Sequence, residues 1–343
     1  MTNLILPENG SVQALLTEKQ KEFLKRNRND ETPVDFDWAN LRRDGQDYTA
    51  PQGVAFAWET ESGESIIEIS ENNNFIDALV FRTCEKRITI LNLKIAQTYY
   101  WRVNDSDVRC FATEDMAPRW IYVGGLTNIR DQGGWKTTDG YRMRQGLIYR
   151  GSEMEWRSYH DRDPSKEPHL ELTEAGKETM LKQLKVKTDL DLRISAQGYL
   201  NETPLGDTVD LKLIPVSPYD EFLVESQKEK VKAIFELLAN PKAYPIYYHC
   251  WGGADRTGTI AYLLEAYLGV PEKDIIDDYE ITSLAYFGKR VRGSDYFVRF
   301  ETALEKFDPS GTMQSRSEKF LRSCGITEET LQALKTNILE KDS

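Results

Sequence analysis

Residues 247–258, Tyr247-Tyr248-His249-Cys250-Trp251-Gly252-Gly253-Ala254-Asp255-Arg256-Thr257-Gly258, bring a thiol, a guanidinium and a glycine-rich turn together. Ahead of the thiol, Pro245 to Tyr248 is short, aromatic and β-prone; behind it, Ile260, Leu263, Leu264, Tyr267 and Leu268 recur at helical spacing until Gly269 and Pro271 stop the pattern. The stretch reads as strand, loop and helix. A loop entering a helix offers unpaired N–H groups and the positive end of the macrodipole, which suits a phosphate-sized anion. Gly252 and Gly253 let the backbone curl close, and Trp251, Ala254, Thr257 and Gly258 complete the wall of the cradle. Cys250 at its mouth is favoured as a thiolate nucleophile, supported by His249 from the strand. Arg256 can fork two donors onto phosphate oxygens, and the Thr257 hydroxyl is placed to donate to the sulfur.

The chemistry that follows is thiolate attack on a phosphomonoester, giving a cysteinyl-phosphate that water then hydrolyses. Loop N–H groups and Arg256 hold the charge on the transferring phosphoryl, so the reading calls for no metal and no cofactor. The leaving oxygen needs a proton, and three carboxylates compete to supply it. Asp220 lies 30 positions before Cys250, on a loop after a strand; Asp255 lies inside the cradle; Asp191 ends a neighbouring strand, where pairing with Arg193 or Arg130 is its alternative role. An acid from the charged loop Ser152 to Pro168 stays open as well.

At these positions the chain resembles the cysteine-dependent protein tyrosine phosphatases, whose signature His-Cys-x-x-Gly-x-x-Arg-Ser/Thr-Gly is met by His249, Cys250, Gly253, Arg256, Thr257 and Gly258. A second stretch, Asn128-Ile129-Arg130-Asp131-Gln132-Gly133-Gly134 with Asp139-Gly140 and the run Arg144 to Gly151, is similar to the opening motif of the atypical bacterial branch. Secreted members of that branch act on phosphotyrosine and phosphoinositides. The resemblance runs from Arg119 to the C-terminus and implies an α/β phosphatase domain, a mostly parallel central sheet flanked by helices. It places Asp220 where many relatives carry a mobile acid, matches Asp255 to the Asp-Arg-Thr-Gly form, and makes Asp191 and Arg193 the counterparts of a strand ending Asp-Leu-Arg. Ala254 departs from the branch, since many phosphoinositide-active members carry Lys there. Its absence removes a cation for extra phosphates, which Lys289, Arg290 and Arg292 would restore unless they form a solvated face. The implied activity is a protein tyrosine phosphatase. The alternatives are an inositol-polyphosphate or phosphoinositide phosphatase with the same Cys chemistry and, outside enzymes, a phosphate-binding interaction module.

Something must position that cradle, and 343 residues allow two cores. Residues 1–34 read as an N-terminal arm with one helix, Ser11 to Arg26. Over residues 35–116 the period changes to two (Val54, Phe56, Trp58; Ile67, Ile69; Tyr99, Trp101, Val103), which predicts a small all-β sandwich. The run Leu93 to Val103 resembles a fibronectin type III domain, with Tyr99 at its tyrosine corner and Trp58 as its core Trp. Residues 117–343 are left for the catalytic domain. A net charge of −12 excludes nucleic acid and an anionic membrane surface as partners, leaving a phosphorylated protein or small phosphomonoester. No apolar run spans a membrane and Met1 to Gln20 has no signal-peptide pattern, which points to a cytoplasmic protein; a leader already removed from a secreted or periplasmic one leaves the same sequence. Cys84 and Cys110 share the β region and can pair; no zinc spacing is present.

Overall fold

The computed structural model describes residues 2–27, 47–61, 63–155, 171–194, 201–285 and 289–342. Alternating burial drives the first half. In β3 (Val54–Glu59), Val54, Phe56 and Trp58 point inward, and in β4 (Ser65–Ser70) Ile67 and Ile69 do the same. One sheet orders β1 (Asn3–Leu6), β3 and β6 (Arg87–Ile90); a second orders β2 (Ser11–Gln13), β8 (Arg109–Thr113), β7 (Thr98–Val103), β4 and β5 (Leu79–Thr83). Their inner faces share a core in which Phe56 meets Trp101 edge-on at 5.0 Å and the Trp58 indole donates to Ser65 Oγ at 2.9 Å. The Tyr99 hydroxyl accepts the Lys94 N–H at 2.9 Å, tying β7 to the segment just before it. Cys84 and Cys110 are free thiols, so the pairing is not made.

The N-terminal arm differs from its expectation. Ser11–Gln13 is a strand paired with β8, and the helix α1 starts only at Glu18, running to Asn27. Thr17 and Gln20 cap it reciprocally, the Thr17 N–H donating to Gln20 Oε1 at 2.9 Å and the Gln20 N–H to Thr17 Oγ1 at 3.3 Å. That box fixes where the helix begins. The first strands thus belong to the sandwich, whereas residues 28–46 lie outside the described residues. Phe23 and Leu24 of α1 pack with Trp120, Ile281 and Leu284 of the second half.

In the second half one six-stranded sheet orders β14 (Asp210–Leu213), β13 (Thr188–Asp191), β15 (Ile246–His249), β12 (Ile148–Gly151), β10 (Arg130–Asp131) and β9 (Arg119–Trp120). The first four are mutually parallel, β10 runs against them and β9 against β10, so the sheet is mixed with a parallel centre. β15 is buried throughout, Ile246 and Tyr248 facing one core and Tyr247 the other, as a strand covered on both faces requires. Around it lie α2 (Glu174–Glu178), which continues as a wider turn over Thr179–Gln183, then α3 (Lys228–Ala239), α4 (Asp255–Leu268) and α5 (Glu272–Ile281). A helix not expected from the sequence, α6 (Asp295–Glu305), precedes α7 (Met313–Ser323) and α8 (Glu328–Ile338). The chain turns back on itself at Thr138-Asp139-Gly140, Lys136 bridging antiparallel to Arg142 and the Thr137 N–H donating to Tyr141 O at 2.8 Å, and β11 (Tyr141–Met143) pairs in addition with β16 (Leu339–Lys341). No helix among the described residues is long and apolar enough to cross a membrane.

Hydrogen bonds lock the two halves. Arg119 donates to Asp131 at 2.7 Å, to Leu93 O at 3.1 Å and to Asn92 O at 2.6 Å, while Gln145 and Ile95 exchange two bonds of 2.9 Å.

Candidate active site

The parallel strands bring Gly151, His249 and Asp191 abreast, Gly151 and Asp191 each registered with His249. Loops leaving the carboxyl ends of such strands are where α/β sites form. From β15 the chain passes through buried Cys250 into the loop and enters α4 at Asp255, with Arg256 partly exposed in the first turn. Three successive loop carbonyls are tied to the scaffold. Trp251 O accepts the Glu153 N–H at 2.8 Å; Gly252 O and Gly253 O accept Asn128 Nδ2 at 3.0 and 3.1 Å; Gly253 O also accepts Arg150 Nη2 at 3.1 Å. The turn leads directly into the N-terminus of α4, where backbone N–H groups and the macrodipole favour an anion. Gly253 has φ +65°, and a Cβ on it would stand 2.4 Å from the carbonyl carbon and oxygen of Gly151. Only glycine fits this contact.

Behind the loop lies a buried charged network. Arg130 donates to Asn128 Oδ1 at 2.6 Å, orienting the amide whose nitrogen holds the loop, and to Asp278 Oδ1 at 2.7 Å. Arg150 donates to the other Asp278 oxygen. Burial would raise the Asp278 carboxyl, but the two guanidiniums hold it below its ordinary range. Glu265, whose Oε1 accepts Gln132 Nε2 at 2.7 Å, is pushed well up by burial and by the charge on Asp278. Asn128 and Arg150 stand in the two motif runs ahead of the loop, which is the sequence signal that marks them, whereas Asp278 stands in neither.

His249 Nε2 lies 3.0 Å from Asp189 Oδ1, and its Nδ1 lies 3.2 Å from Cys250 O. Burial alone would lower its pKa, yet the carboxylates of Asp191 and Asp189 raise it to about 9, making the ring a cation at neutral pH. Asp191 accepts from the Arg193 N–H at 2.9 Å and from its Nη2 at 2.8 Å, and Arg193 also binds Glu153 at 3.0 Å and Glu155. Burial would raise Asp191, and His249 with Arg193 lowers it instead. It is a fixed anion, which removes it as a proton donor; its partner is Arg193, since Arg130 is taken by Asp278.

In front of the loop, Asp255 receives Arg290 in a two-point fork, Nε at 2.7 Å and Nη2 at 3.0 Å, and the Tyr219 hydroxyl donates to the same carboxylate. Burial raises its pKa, but Arg290 and then Tyr219 bring it below the ordinary carboxylate range. Asp220 follows Tyr219 in a one-turn 3-10 helix, Tyr219–Leu223, anchored when the Tyr219 N–H donates to Thr259 Oγ1 at 3.0 Å on α4. Tyr219 holds φ +55°, a left-handed conformation that sets the direction of the next residue. The Asp220 side chain is 30% exposed and touches Arg299 only at 3.6 Å.

His249 to Gly258 run from the end of β15 through the loop into α4, and Tyr219 joins the 219–223 turn to them through Asp255 and Thr259. The structure splits the Lys289-to-Arg292 cluster. Arg290 reaches the loop, whereas Arg292 pairs with Glu272 at 2.6 Å and Glu301 at 3.1 Å, on an exposed acidic face that neutralises it. The buried Thr257 hydroxyl has no partner among the described residues, so the expected bond to sulfur is not made; the residue lies inside the first turn of α4, where the helix sets its direction. Phe287, Gly288 and residues 156–170 lie outside the described residues. No cluster of three or more His, Cys, Asp or Glu among the described residues is arranged to hold a metal.

Residues 121–340 match the model of the tyrosine phosphatase family. A tyrosine-protein phosphatase of Nostoc commune is 26% identical, the match covering 49% of this chain and 70% of that protein. Among solved structures, the core catalytic domain of the PP-IP phosphatase SIW14 of S. cerevisiae in complex with citrate aligns at TM-score 0.31 and 18% identity, over 46% of this chain and 84% of that one. TpbA of P. aeruginosa in complex with pTyr aligns at TM-score 0.27 and 16% identity, over 48% of this chain and 90% of that one. With well over half its length matched by the family model, this chain belongs to the tyrosine phosphatase family and is a phosphatase.

Proposed function

We propose that this phosphatase hydrolyses phosphotyrosine through a cysteinyl-phosphate on Cys250, with Asp220 as the general acid. One observation carries the reading: the loop carbonyls of Trp251, Gly252 and Gly253 are all bound from behind, which fixes the loop after Cys250 as a turn leading straight into the N-terminus of α4, a place suited to a phosphate-sized anion. The Cys250 thiolate attacks phosphorus, and the bond to the tyrosyl oxygen breaks as that oxygen takes the proton of Asp220. Water then attacks the phosphocysteine, giving its proton back to the Asp220 carboxylate, and phosphate leaves with the thiolate restored. The loop N–H groups, including those of Trp251 to Ala254, and the Arg256 fork stabilise the equatorial oxygens throughout.

Asp255 suits a different role. Its carboxylate is engaged by Arg290 and Tyr219, so it fixes the 219–223 turn against the loop rather than delivering a proton. Ala254 supplies no cation for a second phosphate, which favours a monophosphorylated substrate over an inositol polyphosphate. We assign the chemistry to residues 117–343 and read the sandwich as fibronectin type III-like, supported by the Tyr99 corner and the two-sheet order.

Leaving-group dependence tests the acid. A tyrosyl oxygen, pKa ~10, needs protonation and an activated phenolate does not. Asp220→Asn should slow phosphotyrosine peptide hydrolysis roughly 10²–10⁴-fold and an activated aryl phosphate far less, whereas Asp255→Asn should slow both alike. The reverse pattern assigns the acid to Asp255. Cys250→Ser retaining more than about one per cent of turnover would point to another nucleophile. Competition between the phosphotyrosine peptide and inositol hexakisphosphate decides the substrate class.

A further inference from the structure

We infer that Thr49, which precedes the family-matched region, is a positioning residue for the phosphate loop. The inference rests on the reading of that loop as the phosphoryl-transfer site.

Asn128 holds the loop through Gly252 O and Gly253 O, and it does so from a left-handed backbone, φ +58°. Its own N–H is buried, and a buried N–H requires an acceptor. That acceptor is Thr49 Oγ1, at 3.1 Å. Thr49 is itself buried, and both its N–H, at 2.8 Å, and its hydroxyl, at 2.6 Å, donate to Asp47 Oδ1. With the hydroxyl proton directed at Asp47, an oxygen lone pair is left for Asn128. Thr127 Oγ1 stands alongside at 3.4 Å.

The segment carrying Thr49 is seated firmly. Gln20 Nε2 donates to Tyr48 O at 2.8 Å and Ala50 O at 2.9 Å, the Tyr48 N–H donates to Leu284 O at 3.2 Å, and the Gln52 N–H to Leu15 O at 2.8 Å. A relay therefore runs from Asp47 through Thr49 to Asn128 and on to two carbonyls of the loop. Without the hydroxyl, the Asn128 N–H is stranded, the left-handed residue loses its anchor, and Nδ2 moves off the loop. Loop geometry matters most when the phosphoryl group is in transfer, so the loss should fall on kcat more than on KM.

The test uses the full chain and a phosphotyrosine peptide, with Cys250→Ser beside it as the check on the underlying reading. Thr49→Val should lower kcat about 5–50-fold, in the range that sub-ångström to 1 Å misplacement produces. KM should stay within about twofold, and Thr49→Ser, which keeps the oxygen, should return kcat to within about twofold of the wild type. In an Asn128→Ala background, adding Thr49→Val should cost less than about twofold more. Should the valine variant not fold, Thr49→Ala provides the second hydroxyl-free side chain. A folded hydroxyl-free variant with wild-type kcat, a serine variant as slow as the valine one, or an undiminished loss in the Asn128→Ala background each overturns the inference. Turnover surviving in Cys250→Ser overturns the reading of the loop instead.

Discussion

The two sides of the phosphate loop are both built from arginine and carboxylate, yet they are different materials. Behind it, Arg130, Arg150 and Asp278 are fully enclosed, each guanidinium forked between the carboxylate and a carbonyl or amide oxygen. In front, Arg290 and Asp255 keep 22% and 36% of their side-chain surface in solvent. Water screens the front pair and cannot reach the back one, so the same chemical contact fixes position behind the loop and allows adjustment ahead of it. The adjustable side carries the 219–223 turn, held to Asp255 through the Tyr219 hydroxyl.

The comparison breaks most directly at Asp278. Asp278→Asn leaves two buried guanidiniums short of their counter-charge and should destabilise the fold by roughly 3–5 kcal/mol, read as a drop in the denaturant midpoint. A loss under about 1 kcal/mol would mean that water reaches the back wall.

Next in size is a pH effect. The His249 pKa is raised from 6.5 to about 9, so the stability it contributes is fully present below about pH 6.5 and is lost as pH climbs through 9. The Tm advantage of the wild type over His249→Asn should shrink across that window. A pH-independent difference would show that the ring is neutral behind the loop.

Two arginines sharpen the front. Arg290→Gln should cost no more than about 1 kcal/mol, since its pair is partly exposed. Because the Asp255 carboxyl is held low chiefly by Arg290 against burial, the stability of the native pair is present above the ordinary carboxylate range and lost only at lower pH; in the variant the acid loss should begin at higher pH. Arg292→Gln, two positions on but paired with Glu272 and Glu301, should cost under about 0.5 kcal/mol and leave turnover unchanged. Equal losses at the two would mean that distance from the loop does not set their value.

How far these features could be read beforehand depends on how local their causes are. Strand, loop and helix around Cys250 follow from neighbours within twenty residues, and α4 ends at Gly269 with φ +88° as the sequence indicates. The bond from the Lys94 N–H to the Tyr99 hydroxyl likewise spans five residues. By contrast, Arg130 and Asp278 are 148 positions apart, and Thr49 meets Asn128 across 79. No periodicity encodes such pairs. The first two strands escaped because they are four and three residues long and Leu4 alone of them is buried, too little for alternation to register. Asp220 and Asp255 stand alike in the sequence as proton donors because a sequence displays carboxyl groups and not the cations that will face them.

Gly253 and Gly151 have a consequence of another kind. They meet main chain to main chain, so the distance between the loop and the strand beneath it is not adjusted by any side chain. A substitution at one cannot be answered by trimming the other, because both have already given up every atom beyond Cα. For anyone reshaping this loop, its seat is a fixed datum: the residues around it can be redrawn one by one, but its height above the sheet changes only if a strand of the central sheet is moved.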